Sequence, residues 1–474
     1  MGNIIIYDFE TVTSNQRGWG QIIQIGAIAV DEDLNELSRF NERCRLSPGI
    51  IPEAMAMIVS NTTPKLLKES NRSHYEMIRS FVKWIKQFKN STFMGWNNLE
   101  FDQLYFRSTL FQNFEYPYLT TTNGAKEGDI MNLARAANLY YPGTLKNEKN
   151  SKGNLVYKLD SMSELNGVSH KEKHTGIGDC EATLGIAQII KKKAPSVWAS
   201  SMLTLNKDQA LKIIKDEKLF CTNEYYYGKV VPFVQTFVCE HPVYKGWAKN
   251  FDLKHDPNIY VNMPVEALKQ ELKKTPKILR TCRSNKHVIL MNPSYVDNFE
   301  EYKMIGITKL TERANMIKNN KKFAEKIELI LRDEAEEKAQ TASQEDLYEE
   351  ESLYNFPPAE DNRLMEGFHQ LEWEKRLPYL EKFKDKRFHY FGKKLIYQEK
   401  PELLSKEDYD EIHSTVVKRV LSTNNEPWNT IPRVYAEIDT LREKFEKSKE
   451  TEKLKMLEDI NVYVEELEKN YSRA

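Results

Sequence analysis

Five residues could do chemistry together: Asp8 and Glu10 in "IIIYDFET", Asp102 in "GWNNLEFDQLYF", and His174 and Asp179 in "HTGIGDCEA". Asp8 and Glu10 close an apolar run with one residue between them. In a strand, residues two apart share a face, so these carboxylates project side by side. There they repel, and burying them unpaired is costly; a divalent cation that takes both as oxygen ligands removes the penalty. Alone, D-x-E is common by chance and reads as a wet strand end. Asp102 and Asp179 each begin a helix, which acids favour for the dipole alone, and a single His174 would be an ordinary loop histidine. Together they amount to four carboxylates and one imidazole on an α/β scaffold. Four carboxylates suit two cations about 4 Å apart, clamping the attacking and leaving oxygens of an in-line phosphoryl displacement. An imidazole of unperturbed pKa about 6.5 can take the proton of the attacking water near neutral pH. Oxygen ligands and a phosphate substrate point to Mg2+, two ions, with Mn2+ as a substitute.

The elements that must position these groups follow from periodicity. Residues 1–200 alternate strand-like and helix-like pieces, as in an α/β domain. "NIIIYDFE", "QIIQIGAIAVD", "LNELSRFNERCRL" and "STFMGWN" read as strands; "HYEMIRSFVKWIKQF" and "FDQLYFRSTLFQNF" read as helices. "DCEATLGIAQIIKKK" reads as a closing helix with lysines in its last turn, ended by Ala194-Pro195. Residues 201–350 turn β-rich in "YYYGKVVPFVQTFVCEHP", "NIYVNM" and "KILRTCRSNKHVILMN", followed by helical pieces. "SQEDLYEEESLYNFPPAED" (343–361) reads as an acidic linker, and residues 351–474 as mostly helical. Leucines and isoleucines at three- and four-residue steps near the end imply helices packed on a body, because no heptad is sustained.

Composition bounds the rest. The 474 residues exceed one ordinary core, and 40% hydrophobic with 29% charged residues describes a globular protein with no membrane partner. A net charge of −1 argues against coating nucleic acid by charge alone, though a neutral chain can carry a basic groove. Five scattered cysteines without C-x-x-C fit a reducing cytoplasm, as does a start lacking signal-peptide character. Aromatics mixed with Arg or Lys in "GWNN", "LYFRSTLF", "FEYPYL" and "LYYP" are what base-stacking platforms for a single strand require. Phe101, Phe111 and Phe114 are expected in the core, and Tyr118 at the nucleic acid. Lysines 191–193 read as a solvated helix end.

The set Asp8-x-Glu10, Asp102 and His174-x4-Asp179 resembles the DEDDh set of 3′-to-5′ exonucleases, which share a ribonuclease H-like fold. "GWNNLEFDQLYFRSTLFQNFEYPY", "DIMNLARAANLYYP" and "YKLDSMSELNGVSHKEKHTGIGDCEATLGIA" resemble blocks of bacterial exonuclease I. Looser likeness continues through "VVPFVQTFVCEHP", "RTCRSNKHVILMN", "RLMEGF" and "KRFHYFGKKLIYQEKPELLS". The resemblance implies an exonuclease domain (1–200), an SH3-like β-domain with a helical extension (201–350) and a helical C-terminal domain (351–474). These would enclose a groove for single-stranded DNA, degraded to 5′-mononucleotides in DNA repair and recombination. By motif match Asp8, Glu10, Asp102 and Asp179 would form the metal set, with His174 as general base. Glu10 and Thr11 would meet the 3′-terminal nucleotide, and Arg107, Tyr118 and Arg135 fall in blocks that contact DNA. Lys158 stands where the family has arginine; it keeps the charge and loses the bidentate fork. Lys286 is a further expected phosphate contact. The family also binds the acidic tail of the single-stranded DNA-binding protein, and nothing demands more than a monomer. The competing readings are an RNA exonuclease of the same superfamily, a single-strand binder with a decayed site, and an interaction scaffold built on the last helices. The length after residue 200 disfavours the first, the complete set of five disfavours the second, and the third leaves the acids unexplained.

Overall fold

A computed structural model describes residues 2–14, 18–341 and 348–472. Strands β1 (Ile4–Thr11), β2 (Ile22–Val30), β3 (Glu36–Arg43), β4 (Thr92–Gly95) and β5 (Lys126–Asp129) form one sheet, in the order β3-β2-β1-β4-β5. The β1–β2 and β2–β3 pairs are antiparallel, and the β1–β4 and β4–β5 pairs are parallel. The central strand β1 is covered on both faces, which is why it is apolar at consecutive positions. Ile5, Tyr7 and Phe9 meet Phe81 and Trp84 of the helix His74–Ile85 and Phe106 of the helix Asp102–Gln112. Ile4 and Ile6 meet the opposite core, with Ile177, Cys180 and Ile186 of the helix Gly176–Lys193. Strand alternation therefore continues the Ile4–Ile6 row into Asp8 and Glu10, beneath the helix that carries Asp179.

That helix lies unusually close to the sheet. Asp8 pairs with Gly26 of β2, and a methyl group built on Gly26 would stand 2.0 Å from the Gly176 carbonyl carbon. Cys180 Sγ–H reaches the Gly26 carbonyl at 3.3 Å. Thr175 caps the helix by accepting from the Gly178 N–H. The close approach fixes Asp179 over β1.

Strands β6 (Phe220–Tyr226), β7 (Lys229–Glu240), β8 (Trp247–Asp252) and β9 (Leu279–Arg283) form a second, antiparallel sheet in sequence order. It curls until Met291, beyond β9, bridges back to Cys221 of β6. Its apolar side is covered by the helices Ile307–Lys318 and Lys321–Thr341, with Phe251 against Phe323. The last third is helical and packs on the first region. Val434, Ile438 and Leu441 share a core with Val12, Ile23 and Met57. Glu437 caps the helix Ala54–Val59 from outside by accepting from the Ala54 and Met55 N–H groups, 2.9 Å each. Among the described residues no helix is long and apolar enough to cross a membrane.

Two expectations need correction. "NIYVNM" is no strand: Asp256 accepts from the Asn258 N–H, Pro257 opens a 3-10 turn at Pro257–Ile259, and turn chemistry overrides the apolar content. The acidic stretch 343–361 is no free linker from residue 348 on; residues 343–347 lie outside the described residues. Glu350 is buried, with Tyr390, Lys394 and Arg419 on its Oε1 at 2.6, 3.0 and 3.2 Å. Ala194 does end the Asp179 helix, but Pro195 at once opens the next, Pro195–Thr204. Phe111 and Phe114 are core residues, as expected, and Phe101 is partly buried against the neighbouring core of Phe9 and Phe106.

Gly26→Ala should lower stability by about 1–3 kcal/mol, the usual cost of overpacking, because backbone rather than a flexible side chain blocks the methyl. An unchanged urea midpoint would show that the helix can lift without cost.

Candidate active site

The structure brings Asp8, Glu10 and Asp179 together: one carboxylate oxygen from each lies within 4.8 Å of the others. All three side chains are half-buried. The β1–β2 register shifts between Glu10 and Thr11, a bulge that ends regular pairing where the acids project. Three acids at this spacing cannot all ionise cheaply. Burial, then Asp102, Asp179 and Glu10, push the Asp8 carboxyl well above the usual carboxylate range. Burial, then Asp179 and Asp102, raise Glu10 to about 8. This donor set fits a hard divalent cation, since its ligands are all oxygens and its repulsion is what a cation relieves.

Asp102 stands beside the trio rather than within it. The β1–β4 ladder stops at Ile6–Met94, and the Phe9 N–H donates instead to Asp102 Oδ1 at 3.0 Å. Burial raises Asp102 to about 7 despite that bond. His174 sits at the rim with a left-handed backbone, φ 59°. Its N–H reaches Asp179 Oδ1 at 3.2 Å, while its ring Nε2 lies 3.3 Å from Asp160 Oδ2.

Sequence reasoning missed two residues here. His170 is buried with its Nε2 2.6 Å from Asp179 Oδ1. The only signal was a second histidine four positions before His174 in "SHKEKH". Asp129, raised to about 6 by burial, accepts from the Asn97, Met131 and Asn132 N–H groups and so ties the β4 exit to the helix Ile130–Tyr140.

Apart from Glu10, the expected DNA contacts lie outside the acid trio. Thr11 is buried and its hydroxyl donates to the Thr13 carbonyl at 3.0 Å. Arg107 pairs with Glu127 at 3.2 Å and lies 4.9 Å over the Tyr118 ring. Arg135 stacks on Tyr225 of β6 at 3.9 Å. Lys158 is exposed and precedes the helix Leu159–Leu165, and Lys286 pairs with Glu100 at 3.1 Å. A cleft of about 460 Å³ between the first region and the second sheet is lined by Asn97, Arg135, Tyr225, Arg283 and Lys286, among others.

An exonuclease family model matches residues 5–187, and an exonuclease I C-terminal domain model matches residues 347–467. Exodeoxyribonuclease I of Buchnera aphidicola (subsp. Acyrthosiphon pisum) is 25% identical over 349 residues, 69% of this chain and 82% of that protein. Escherichia coli exonuclease I, solved with a dT13 oligonucleotide, superposes with a TM-score of 0.80 at 18% identity, over 98% of this chain and 100% of that one. Exonuclease I solved together with SSB gives 0.79, also at 18% identity, over 98% and 99%. At these identities the structural matches establish the fold. A sheet-centred exonuclease domain with three clustered acids, continued by a curled sheet and packed helices, defines a hydrolase of the exonuclease class. The chain belongs to the exonuclease I family.

Glu10 carries a testable sign. Its folded value of about 8 exceeds the ordinary 4.5, so the folded chain holds a proton that the unfolded chain releases across that window. Without cation, stability should therefore fall as pH rises from 4.5 to about 8. Glu10→Gln should raise the cation-free melting temperature at pH 8, leave it nearly unchanged at pH 4, and lose the stabilisation that Mg2+ confers on the unmodified chain. Equal melting at pH 8 with and without the substitution would contradict the raised value.

Proposed function

We propose that this chain degrades single-stranded DNA from the 3′ end, releasing 5′-mononucleotides by two-metal hydrolysis. The observation that carries the reading is the trio Asp8, Glu10 and Asp179, held within 4.8 Å on an exonuclease I scaffold. Asp8, Glu10 and Asp179, with Asp102 beside them, hold two Mg2+ ions, or Mn2+ in their place, in a domain spanning residues 1–200. When bound, the ions neutralise the acids and polarise the scissile phosphodiester. His174, its ring held by Asp160, accepts the proton of the attacking water.

The strand path follows the arginine–aromatic pairs. Arg107 with Tyr118 and Arg135 with Tyr225 present cationic and π groups together, and Lys158 and Lys286 add phosphate contacts. Glu10 and Thr11, at the bulge, meet the terminal nucleotide. The Escherichia coli neighbour binds dT13, which supports DNA over RNA as substrate. The neighbour solved with SSB supports docking of that protein's acidic tail. One chain supplies every group the reaction uses, so a monomer suffices. Five unpaired cysteines, all buried, support a reducing cytoplasm.

A 5′-labelled single-stranded DNA oligomer, its duplex and an RNA copy, each with and without Mg2+, test this. Shortening of the single-stranded DNA alone, and only with Mg2+, is the expected outcome; preferred loss of the RNA copy would reassign the substrate. Asp8→Ala should abolish cleavage while DNA binding largely survives. His174→Ala should slow cleavage by roughly 10²–10⁴-fold. Full activity of His174→Ala at neutral pH would remove it as the base.

A further inference from the structure

Asp179 is the one member of the trio carried by a helix rather than by β1, and its carboxylate faces repulsion from both Asp8 and Glu10. Backbone packing at Gly26 fixes where the helix lies, yet it does not fix the side-chain torsions of Asp179. Two N–H donors from outside the trio converge on its Oδ1: His170 Nε2 at 2.6 Å and the His174 backbone at 3.2 Å. An ionised carboxylate only accepts, so the His170 Nε2 carries the hydrogen. The other ring nitrogen, Nδ1, then accepts from Ser163 Oγ at 3.1 Å, with the Asp160 carboxylate 3.5 Å away. The ring is thus gripped at both ends, and its side chain is 2% exposed. Asp160 serves twice, since its other oxygen faces His174 Nε2 at 3.3 Å.

We infer that His170, backed by Ser163 and Asp160, is a positioning residue that holds the Asp179 carboxylate in place for its cation. The inference rests on the cation-site reading above. With Oδ1 committed to two donors, the plane of the carboxylate is set and Oδ2 is left to the ion. Outer-shell partners of this kind are worth 10–100-fold in metal affinity. A histidine that merely filled space would be replaceable by an apolar ring of similar size. A positioning histidine is replaceable only by a side chain that restores the N–H.

The test is Mn2+ binding to the full chain without DNA, followed by electron paramagnetic resonance, for the unmodified protein, Asp8→Asn, His170→Phe and His170→Gln. Circular dichroism melting of the cation-free proteins runs alongside. The unmodified chain should bind and Asp8→Asn should lose the site. His170→Phe should bind about 10–100-fold more weakly with little change in melting, and His170→Gln should recover part of the affinity. At saturating Mn2+, cleavage by His170→Phe should return towards the unmodified rate, the signature of a lost positioning contact. If His170→Phe binds as tightly as the unmodified chain while Asp8→Asn does not, the inference falls and the site reading stands. If the unmodified chain and Asp8→Asn bind alike, both fall. Should His170→Phe fail to fold, His170→Asn, too short to reach Asp179, carries the same expectation and decides the matter.

Discussion

Mutual repulsion among Asp8, Glu10 and Asp179 is the constraint around which the first region is built. Left to themselves, three carboxylates would separate or take up protons; burial first, and that repulsion after it, raises Asp8 and Glu10. The fold denies them the first escape. Strand alternation forces Asp8 and Glu10 onto one face, and the bare Gly26 backbone lets the Asp179 helix lie directly against it. A site strained in this way is stable only because apolar burial on both faces of β1 outweighs its cost. The same strain makes it receptive to divalent charge.

The surrounding polar groups restrain the acids without neutralising them. The Phe9 N–H steadies Asp102, and the His170 and His174 N–H groups steady Asp179, all as hydrogen-bond donors. Among the groups acting on Asp8 and Glu10, the one cation is Arg43, a minor influence on Glu10. Elsewhere the chain handles buried charge differently. Glu350 is fully buried, with Lys394 and Arg419 on one oxygen, and Arg419 in turn lies 5.1 Å from the rings of both Trp19 and Trp428. Paired charge seals the segment after residue 348 between the first region and the last helices.

What could be read in the sequence follows the range of the forces involved. The β1 acids were legible because a period of two and an apolar run are local facts. Asp102 and Asp179 were legible because an acid opening a helix leaves a short-range signature. Most strands of the two sheets and the terminal helices followed from periodicity, whereas β5 and β8, short and largely polar, did not. His170 was not legible, because its meaning lies in Ser163, Asp160 and Asp179 converging across a loop and two helices. "NIYVNM" misled because an apolar hexamer looks like a strand until the Asp256–Pro257 turn is weighed. The acidic tract near 350 misled because charge was read as solvated, whereas the buried Glu350 has three partners far away in sequence.

Four arginines of the first region and the second sheet share one design, and two of them, Arg135 and Arg283, line the cleft. Arg107 lies on Tyr118, Arg135 on Tyr225, Arg280 on Phe233 and Arg283 on Trp247, at 3.8–4.9 Å. A guanidinium held over a ring has already lost part of its rotamer freedom, so ordering it further against an anion costs less. The planar ion suits this task, whereas a lysine ammonium would be held more loosely on the same ring. Lys158 is the exception by position as well as by type: it is exposed and stacks on no ring among these pairs. Over the whole chain 69 Lys and Arg residues are balanced by 70 acids, so these arginines are set apart by the rings that hold them rather than by a general excess of positive charge.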